Sequence, residues 1–282
     1  MATLAMQTPA PDAAQGKEWL RVGGVALAVR DLARVEAFYR DVLGLAVIAR
    51  TDDGVSLGAG GIPFLDLVHR PDALPDDPAS AGLFHTAFLL PTRADLGRWL
   101  AHAGSRGQRL DGAADHLVSE AVYLSDPEGN GVEVYADRPR AEWRWTEGAE
   151  GRRVEMANRP LDAEGLLRLA STPWAGAPAG TRVGHVHLRV GDVAEAQRFY
   201  AGVLGLDVTR AWPEAVFLST GGYHHHVAVN TWRSAGAGPR DGRRAGLAVV
   251  TMEVASDRAR PEAMHDPWGT EIRVRASIPP QS

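Results

Sequence analysis

The 282-residue chain contains no cysteine, and this absence excludes several kinds of functional site. Without thiols there can be no disulfide framework, no zinc–thiolate or iron–sulfur site, and no cysteine nucleophile. Any metal ion that the protein binds must therefore be held by histidine, aspartate or glutamate side chains.

The chain also lacks an excess of basic charge and any long hydrophobic run. Its 30 lysines and arginines stand against 35 acidic residues, so the sequence gives no basic stripe of the kind that binds nucleic acid. No segment approaches the ~20 apolar residues of a membrane span. Residues 1–19 lack the basic and apolar regions of a signal peptide and predict a disordered tail. We therefore expect a cytoplasmic protein whose partner is a small molecule rather than nucleic acid or a membrane.

What the sequence does contain is an internal repeat at an offset of 161 residues. Residues 27–47 read LAVRDLARVEAFYRDVLGLAV, and residues 188–208 read LRVGDVAEAQRFYAGVLGLDV. In each copy an alternating apolar strand runs into an aspartate, Asp31 or Asp192, that can cap the amphipathic helix after it. A glycine follows each helix, and further short apolar runs complete a βαβββ module.

Weaker copies of the same pattern fill the rest of the chain. Four modules are predicted, at 20–70, 82–137, 181–232 and 246–276. The fourth is truncated, because its strands leave space for only about one helical turn between them. In chain order the modules form two units, 20–137 and 181–276, joined by a linker, 138–180, with one predicted helix at 163–170. This order of elements indicates an α+β fold in which modules pair into two open barrels.

Two motifs carry a family resemblance. Both repeat copies contain the helix pattern D-x6-FY-x2-VLGL. Residues 115–133 read DHLVSEAVYLSDPEGNGVE, in which a histidine, a tyrosine, an Asp-Pro-x-Gly turn and a glutamate follow one another. The chain resembles the vicinal oxygen chelate superfamily, which includes glyoxalase I, bleomycin-binding proteins and type I extradiol dioxygenases. The second motif is similar to the extradiol signature, and the runs 184–187 and 223–232 are similar to two-domain catechol 2,3-dioxygenases.

The resemblance implies a metal centre. Ligands in this superfamily come from the first and last strands of paired modules, which here correspond to His85, Glu133 and His185. Two imidazoles and one carboxylate suit a non-haem Fe(II), with Mn(II) as the alternative metal. The family pattern further implies that His116 and Tyr123 bond a substrate oxygen.

The resemblance also assigns an acid/base to the run of three histidines. His225 matches the active-site histidine that precedes a Val-Ala strand in the family. A strand period of two puts His225 on one face, with His224 and His226 on the other. If the inward face is the opposite one, His226 takes the role. His187 and Asn230 are further candidates for the pocket wall.

The repeat predicts which modules share the metal centre. At the repeat offsets, the three ligand candidates of modules two and three fall on residues of modules one and four that are not ligands: Gly246, Arg273 and Gly24. We therefore infer that modules two and three share one site. The alternative pairs module three with module four and needs Glu271 as a ligand in place of Glu133.

The implied activity is that of an oxidoreductase of aromatic hydrocarbon catabolism, a dioxygenase that opens the ring of a small aromatic diol with O₂. One alternative is a glyoxalase-like isomerase or lyase that uses His226 as a fourth ligand. Another is a metal-free binding protein of the bleomycin-resistance type. Because open barrels leave exposed strand edges, we expect a homodimer or a larger homo-oligomer.

Overall fold

The structure is a computed structural model, and it describes residues 18–148, 151–255 and 262–278. The expected disordered tail, 1–19, lies outside the described residues apart from Glu18 and Trp19. Over the described residues the chain forms seventeen β-strands and four short α-helices, and the α+β fold predicted from the sequence is confirmed. No helix in this part of the chain combines the length and the apolar composition of a membrane span.

Each of the first three modules contains one helix of at least ten residues. Modules one and two contain β1 (Leu20–Val29), α1 (Leu32–Asp41), β2 (Ala46–Thr51), β3 (Gly54–Ala59), β4 (Ile62–His69), β5 (Gly82–Leu89), α2 (Arg93–Ser105), β6 (Gly112–Asp115), β7 (Ser119–Ser125) and β8 (Gly131–Asp137). The linker contains β9 (Trp145–Gly148), β10 (Gly151–Val154) and α3 (Ala163–Arg168). Modules three and four contain β11 (Arg182–Arg189), α4 (Val193–Gly202), β12 (Asp207–Trp212), β13 (Ala215–Ser219), β14 (Val227–Asn230), β15 (Gly246–Ala255), β16 (Ala263–His265) and β17 (Glu271–Ile278).

The strands form two large sheets, and each sheet combines modules that are not consecutive in the chain. The eight-stranded sheet has the order β12-β13-β14-β11-β5-β8-β7-β6, so it consists of modules two and three. The seven-stranded sheet, β16-β17-β15-β1-β4-β3-β2, consists of modules one and four. Antiparallel pairs, β5 with β11 and β1 with β15, join the modules within each sheet. The sheets therefore follow the crossed pairing rather than the two sequence halves, 20–137 and 181–276.

The linker is more structured than its composition indicated. Its helix α3 covers most of the predicted segment 163–170, and β9 and β10 form a hairpin that the sequence did not predict. The backbone of Arg159 also exchanges two hydrogen bonds of 2.9 Å with Asp115, at the end of β6. The hairpin escaped prediction because its strands are only four residues long, too short for a clear alternation.

The two repeated helices begin as the sequence predicts. Asp31 accepts a hydrogen bond of 3.0 Å from the amide of Arg34 at the start of α1. Asp192 accepts one of 2.6 Å from the amide of Glu195 at the start of α4. Each cap satisfies an amide that has no partner within the first helical turn. Beyond α1, Gly44 has a φ of 73°, a left-handed conformation that favours glycine.

The largest of three hydrophobic clusters in the described residues lies between the two sheets and the helices. Val186 and Leu188 of β11 belong to this core, and β1 packs against β11 across it. His185 and His187 alternate with them and face the other side of the eight-stranded sheet. That sheet therefore packs one face against the core, and its second face carries the polar side chains of His185 and His187.

Buried tyrosines connect modules that are consecutive in the chain but lie in different sheets. Tyr39 of α1 donates a hydrogen bond of 3.3 Å to Asp126, in the Asp-Pro-x-Gly turn of module two. Tyr200 of α4 donates one of 3.0 Å to Asp266, in the matching turn of module four. Each aspartate also accepts hydrogen bonds from amides of its own turn. The tyrosine of the repeated Phe-Tyr pair thus holds the turn of the next module.

Matching β-bulges correct one part of the repeat alignment. Phe84 is the extra residue of β5 opposite β11, and Ala248 is the extra residue of β15 opposite β1. The bulges make His85 structurally equivalent to Val249, so its predicted match with Gly246 is wrong. The error arises because three more residues separate β11 from β15 than separate β1 from β5.

Replacing Tyr200 with phenylalanine removes the hydrogen bond to Asp266 and keeps the buried ring. We expect the free energy of unfolding to fall by about 1–2 kcal/mol, because a buried hydrogen bond to a carboxyl group is lost. Urea unfolding followed by tryptophan fluorescence measures the change. The control Ser105→Ala removes an exposed hydroxyl at the end of α2 and should cost less than about 0.5 kcal/mol. Equal losses in the two variants would contradict the role given to Tyr200.

Candidate metal centre

The eight-stranded sheet brings the three predicted ligand residues together on one face. Strand β5 lies between β8 and β11, and Ala87 of β5 pairs with Glu133 on one side and His185 on the other. His85 lies two residues from Ala87 and therefore faces the same way. The small side chain of Ala87 leaves space between the three longer ones. Three adjacent strands thus direct two imidazoles and one carboxylate at one point.

The donor atoms of these side chains are close enough to share one ion. Glu133 Oε2 is 3.0 Å from His85 Nε2 and 3.3 Å from His185 Nε2. The three ligand atoms lie within 4.8 Å of one another, and all three residues are buried, with Glu133 only 2% exposed. Metal–ligand bonds of ~2.0–2.2 Å from a common centre give separations of this size.

Burial and neighbouring groups have opposite effects on Glu133. Burial alone would raise the pKa of its carboxyl, but His185 and His85 hold that pKa well below its usual range. Burial lowers the pKa of His185 from 6.5 to about 4, although Glu133 opposes this change. Near pH 7 the carboxylate is therefore charged and the His185 imidazole neutral, which are the states that metal ligands require.

Two buried ring nitrogens of the site, His85 Nε2 and His185 Nδ1, have no hydrogen bond within the described residues, and the first of them lies beside the carboxylate. His85 Nε2 lies 3.0 Å from the Glu133 carboxylate, but its geometry makes no hydrogen bond to any residue in the described ranges. A buried polar atom without a partner is costly unless something else binds it. A divalent cation beside Glu133 would bind this nitrogen and balance the buried negative charge. Two imidazoles and one carboxylate are also the ligand set of non-haem Fe(II) centres with open positions.

A cavity of about 830 Å³ opens beside these side chains. His85 and Glu133 line it, and so do several aromatic rings: Phe84, Tyr123, Trp212, Phe217 and Trp232. Phe84 faces the cavity together with its neighbour His85 because of the bulge in β5. Met156 and Asn158 reach the wall from the linker. The sequence motifs indicated Tyr123, and the run 223–232 ends on Trp232, but they did not point to the other aromatic and linker residues.

A second group of histidines adjoins the first. His185, His224 and His225 have ring nitrogens within 4.8 Å of one another. Both nitrogens of His224 are engaged, because Nδ1 is 2.8 Å from Nδ1 of His225 and Nε2 is 2.9 Å from Asp137 Oδ1. A metal held by His224 would break one of these bonds. The set that contains Glu133 is therefore the better candidate for a metal centre.

His225 lines the cavity, although not through the predicted strand alternation. Strand β14 begins at Val227, so all three histidines of the run lie in the segment before it. The ring centroid of His225 is 4.1 Å from that of His185. Burial, and then the neighbouring histidines, hold the pKa of His225 well below 6.5. The cavity wall thus contains a neutral imidazole close to the proposed ligands.

Tyr123 and His116 form a hydrogen-bonded pair in the cavity wall. His116 Nδ1 lies 3.1 Å from the carbonyl oxygen of Ala157, which can only accept, so a neutral ring carries its proton there. His116 Nε2 then accepts the hydroxyl proton of Tyr123, at 2.6 Å. Burial and the nearby Glu133 hold the pKa of Tyr123 well above 10. Leu117, with a φ of 71°, marks a tight turn that fixes the position of His116.

His187 and Asn230 form a hydrogen bond with each other at the cavity wall. The amide of Trp232 donates to Asn230 Oδ1 at 3.3 Å, so Asn230 Nδ2 faces His187 Nε2 at 2.9 Å. An amide nitrogen only donates, so this ring nitrogen accepts and is not free to bind a metal. Burial, and then His85 and His185, lower the pKa of His187 well below 6.5. His187 lines the cavity, and Asn230 lies behind it.

The two remaining candidates, His226 and Glu271, lie outside the site. His226 is buried, with Nε2 3.4 Å from Glu18 Oε2. Glu271 belongs to the other sheet, where its carboxylate is 2.6 Å from Arg273. Neither side chain lines the cavity. The structure therefore brings neither the fourth ligand of a glyoxalase-like site nor the replacement for Glu133 to the metal centre.

Comparison with known proteins identifies the family. The family model of the Glyoxalase/Bleomycin resistance protein/Dioxygenase superfamily matches residues 21–134 and 182–259. The chain belongs to this superfamily. It is 42% identical to a catechol-2,3-dioxygenase of Bacillus subtilis (strain 168) over 237 residues, which are 82% of this chain and 81% of the relative. It is also 30% identical to biphenyl-2,3-diol 1,2-dioxygenase 3 of Rhodococcus globerulus over 120 residues, which are 42% of this chain and 63% of that protein.

Solved structures of the Glyoxalase/Bleomycin resistance protein/Dioxygenase superfamily share the fold. Glyoxalase I from Zea mays superposes with a TM-score of 0.53 over 90% of this chain and 92% of its own chain. The sequence identity is 14%, so this likeness concerns the arrangement of strands and helices. The chemistry of the site depends on its side chains.

The buried neutral histidines predict a pH-dependent stability of the metal-free protein. An unfolded histidine binds a proton below its usual pKa of about 6.5, whereas folded His185 does so only near pH 4. The free energy of unfolding should therefore decrease as the pH falls from 6.5 to 5, with a slope that rises to at most about 1.4 kcal/mol per pH unit for each such histidine. Urea unfolding at several pH values measures the slope. His185→Gln should reduce this slope by the contribution of about one bound proton. His69→Gln, at an exposed position, should leave the slope unchanged. Equal slopes for His185→Gln and the parent protein would refute the assignment.

Proposed function

We propose that the protein is a non-haem Fe(II)-dependent extradiol dioxygenase that opens the ring of a catechol-type substrate with O₂. The observation that carries the proposal is the buried Glu133 carboxylate between the Nε2 atoms of His85 and His185, beside a cavity lined with aromatic rings. The 42% identity to a catechol-2,3-dioxygenase over 82% of the chain supports it.

His85, Glu133 and His185 would hold the metal, which we take to be Fe(II), with Mn(II) as the alternative. Bound iron would supply adjacent open positions for the two oxygens of a catecholate and for O₂. One carboxylate and two neutral imidazoles have a net charge of −1, so the centre would remain positive and attract an anionic substrate. The protonation states of Glu133 and His185 near pH 7 are the ones that this role requires.

His225 is the candidate acid/base. A catechol must lose protons when it binds a metal, and a neutral imidazole in the cavity wall can accept one and later return it. The ring is held between His185, at 4.1 Å between centroids, and Phe217, at 5.0 Å. These contacts fix the plane of the imidazole, so a proton can be transferred without a large side-chain movement.

Tyr123 and His116 are the candidates for positioning the substrate. The ring of Tyr123 lies 5.6 Å from that of His85, between centroids, so its hydroxyl borders the space beside the proposed ligands. Because its proton is directed at His116, the hydroxyl keeps lone pairs that can accept a hydrogen bond from a substrate hydroxyl. The pair would therefore orient one oxygen of the diol before the ring reacts.

The cavity suits an aromatic substrate larger than catechol alone. Its volume of about 830 Å³ is within the range of pockets for drug-sized ligands. Trp212, Phe217 and Trp232 provide ring faces and edges for packing. Trp232 is 47% exposed and marks the mouth, where a ring substituent could extend toward solvent.

The geometry favours this activity over the two alternatives. A glyoxalase-like isomerase or lyase would need His226 as a fourth ligand, and His226 instead faces Glu18. A metal-free binding protein would have no use for a buried carboxylate next to an imidazole nitrogen without a hydrogen bond. One scaffold can host all three functions, so the proposed metal ligands, and not the fold, distinguish between them.

The proposal predicts that His85→Ala abolishes both metal binding and ring cleavage. The protein is purified anaerobically, loaded with Fe(II) and given a panel of catechols, while O₂ uptake and the yellow ring-fission product are followed. We expect activity to fall by more than about 100-fold, which exceeds the usual cost of losing an outer hydrogen-bond partner of a ligand. His69→Ala is the matched control at an exposed histidine. If no catechol supports O₂ uptake and His85→Ala binds as much metal as the parent protein, the proposal fails.

The acid/base assignment predicts a different response for His225→Gln. Because the metal ligands remain, we expect unchanged iron content and a kcat reduced by about 10²–10⁴-fold, the usual contribution of general acid–base catalysis. Metal analysis and steady-state O₂ uptake measure the two quantities on one preparation. A variant with full kcat would show that another group moves the proton.

A further inference from the structure

A series of hydrogen bonds leads from His225 to Asp137, the last residue of β8. Nδ1 of His225 is 2.8 Å from Nδ1 of His224, and His224 Nε2 is 2.9 Å from Asp137 Oδ1. The other carboxylate oxygen of Asp137 accepts a hydrogen bond of 2.9 Å from the Tyr223 hydroxyl. That hydroxyl is 2.8 Å from the hydroxyl of Tyr135. Of the five hydrogen-bonded residues, all within the described part of the protein, only His225 lines the cavity.

The carboxylate of Asp137 decides where the protons of His224 and His225 lie. A carboxylate of Asp137 only accepts, so His224 must donate through Nε2. A neutral His224 that donates through Nε2 has its lone pair on Nδ1 and accepts there. With His224 neutral, its Nδ1 has no proton to donate, so His225 donates through its own Nδ1. Its Nε2 is consequently left without a proton.

The surroundings hold His224 in this arrangement. It is fully buried, and the rings of Tyr223, Trp143 and Tyr135 lie 4.1, 5.4 and 6.1 Å from it, between centroids. Rotating the His224 ring would separate it from Asp137 and His225 together. The partly exposed Asp137 is thus linked to the cavity by one rigid intermediate.

Strand β8 connects these hydrogen bonds to the candidate metal centre. Glu133, Tyr135 and Asp137 occupy alternate positions of β8, so all three face the same side. Each contacts a residue of module three: His185, Tyr223 and His224, respectively. The crossed pairing of modules therefore builds the metal centre and the series of hydrogen bonds from the same strand.

We propose that Asp137 is a positioning residue, which acts through His224 to keep the proton of His225 on Nδ1 and to leave Nε2 as a lone pair. The role of this lone pair as a base rests on the proposed dioxygenase function. The position of the proton does not rest on it. Asp137 touches neither the substrate space nor a proposed metal ligand, so its effect on the reaction is indirect.

The position of the proton can be measured in the full-length protein. The protein is labelled with ¹⁵N-histidine and loaded with Zn(II), which is diamagnetic. The tautomer of each imidazole is then read by NMR from its ¹⁵N chemical shifts and two-bond couplings. We expect His225 protonated on Nδ1 and His224 on Nε2. A His225 that carries its proton on Nε2 would overturn the proposal, and this measurement needs no variant and no substrate.

Variants test whether Asp137 causes this state. Asp137→Ala should release His225 into a mixture of tautomers, with Zn(II) binding unchanged. Tyr223→Phe is the matched control, because it removes the other hydrogen bond to Asp137 and leaves its contact with His224, so the tautomer should stay as in the parent protein. If Asp137→Ala does not fold, His224→Gln interrupts the same series of hydrogen bonds one residue closer to the cavity. An unchanged His225 tautomer in the variant that folds would refute the role of Asp137.

Kinetics on the Fe(II)-loaded protein separate this inference from the proposed function. We expect Asp137→Ala to lower kcat by about 10- to 100-fold, the usual cost of losing a partner behind a site residue, with KM and iron content unchanged. Asp137→Glu, which restores an acceptor, should recover part of the loss. Asp66→Asn, on the exposed surface of the other sheet, controls for the loss of a carboxylate. If the parent protein opens no catechol but has the expected tautomers, the proposed function fails and the inference stands. If it is active and Asp137→Ala has full kcat, the inference fails alone.

Discussion

The site depends on one buried negative charge, the Glu133 carboxylate, which pairs with no lysine or arginine of the described residues. Glu133 is 2% exposed and charged near pH 7, and its nearest partners are imidazoles. His185 is held neutral by burial, so it offers the carboxylate a dipole rather than a full positive charge. An isolated carboxylate in such an environment is strongly unfavourable. A divalent cation among Glu133, His185 and His85 would supply the missing charge and the missing partner of His85 Nε2.

The position of that charge follows from how the modules pair. His85 and His185 meet because β5 and β11 are antiparallel neighbours, and Glu133 joins them because β8 lies on the other side of β5. Consecutive modules are instead tied through Tyr39 to Asp126 and through Tyr200 to Asp266, across the two sheets. The chain thus uses hydrogen bonds between buried side chains to join neighbours in sequence, and strand pairing to build the site.

Periodicity and repeats indicated the features that leave a regular pattern. The caps at Asp31 and Asp192 and the four modules follow from such patterns. The family resemblance implied His85, Glu133 and His185 as ligands, and the repeat then indicated that they share one site. A bulge leaves none, because one extra residue turns the next side chain over without changing the apolar composition. The repeat pattern therefore missed Phe84 in the cavity wall. His85 was misaligned for a different reason, the three extra residues between β11 and β15, and His225 was assigned to a strand that begins two residues later. Gly184 is the extra residue of a second bulge, in β11 opposite β5, where a Cβ would clash with the Tyr135 hydroxyl oxygen.

The seven-stranded sheet, which carries none of the proposed ligands, has a structural task of its own. At the positions equivalent to His85, Glu133 and His185 it carries Val249, Arg273 and Gly24. A strand such as β11, with His185 and His187 on one face, has only its other face for hydrophobic stabilisation. Val186 and Leu188 on that face are fully buried because β1 covers them. The seven-stranded sheet thus compensates for the histidines of its partner, and losing its own ligands would not weaken that support.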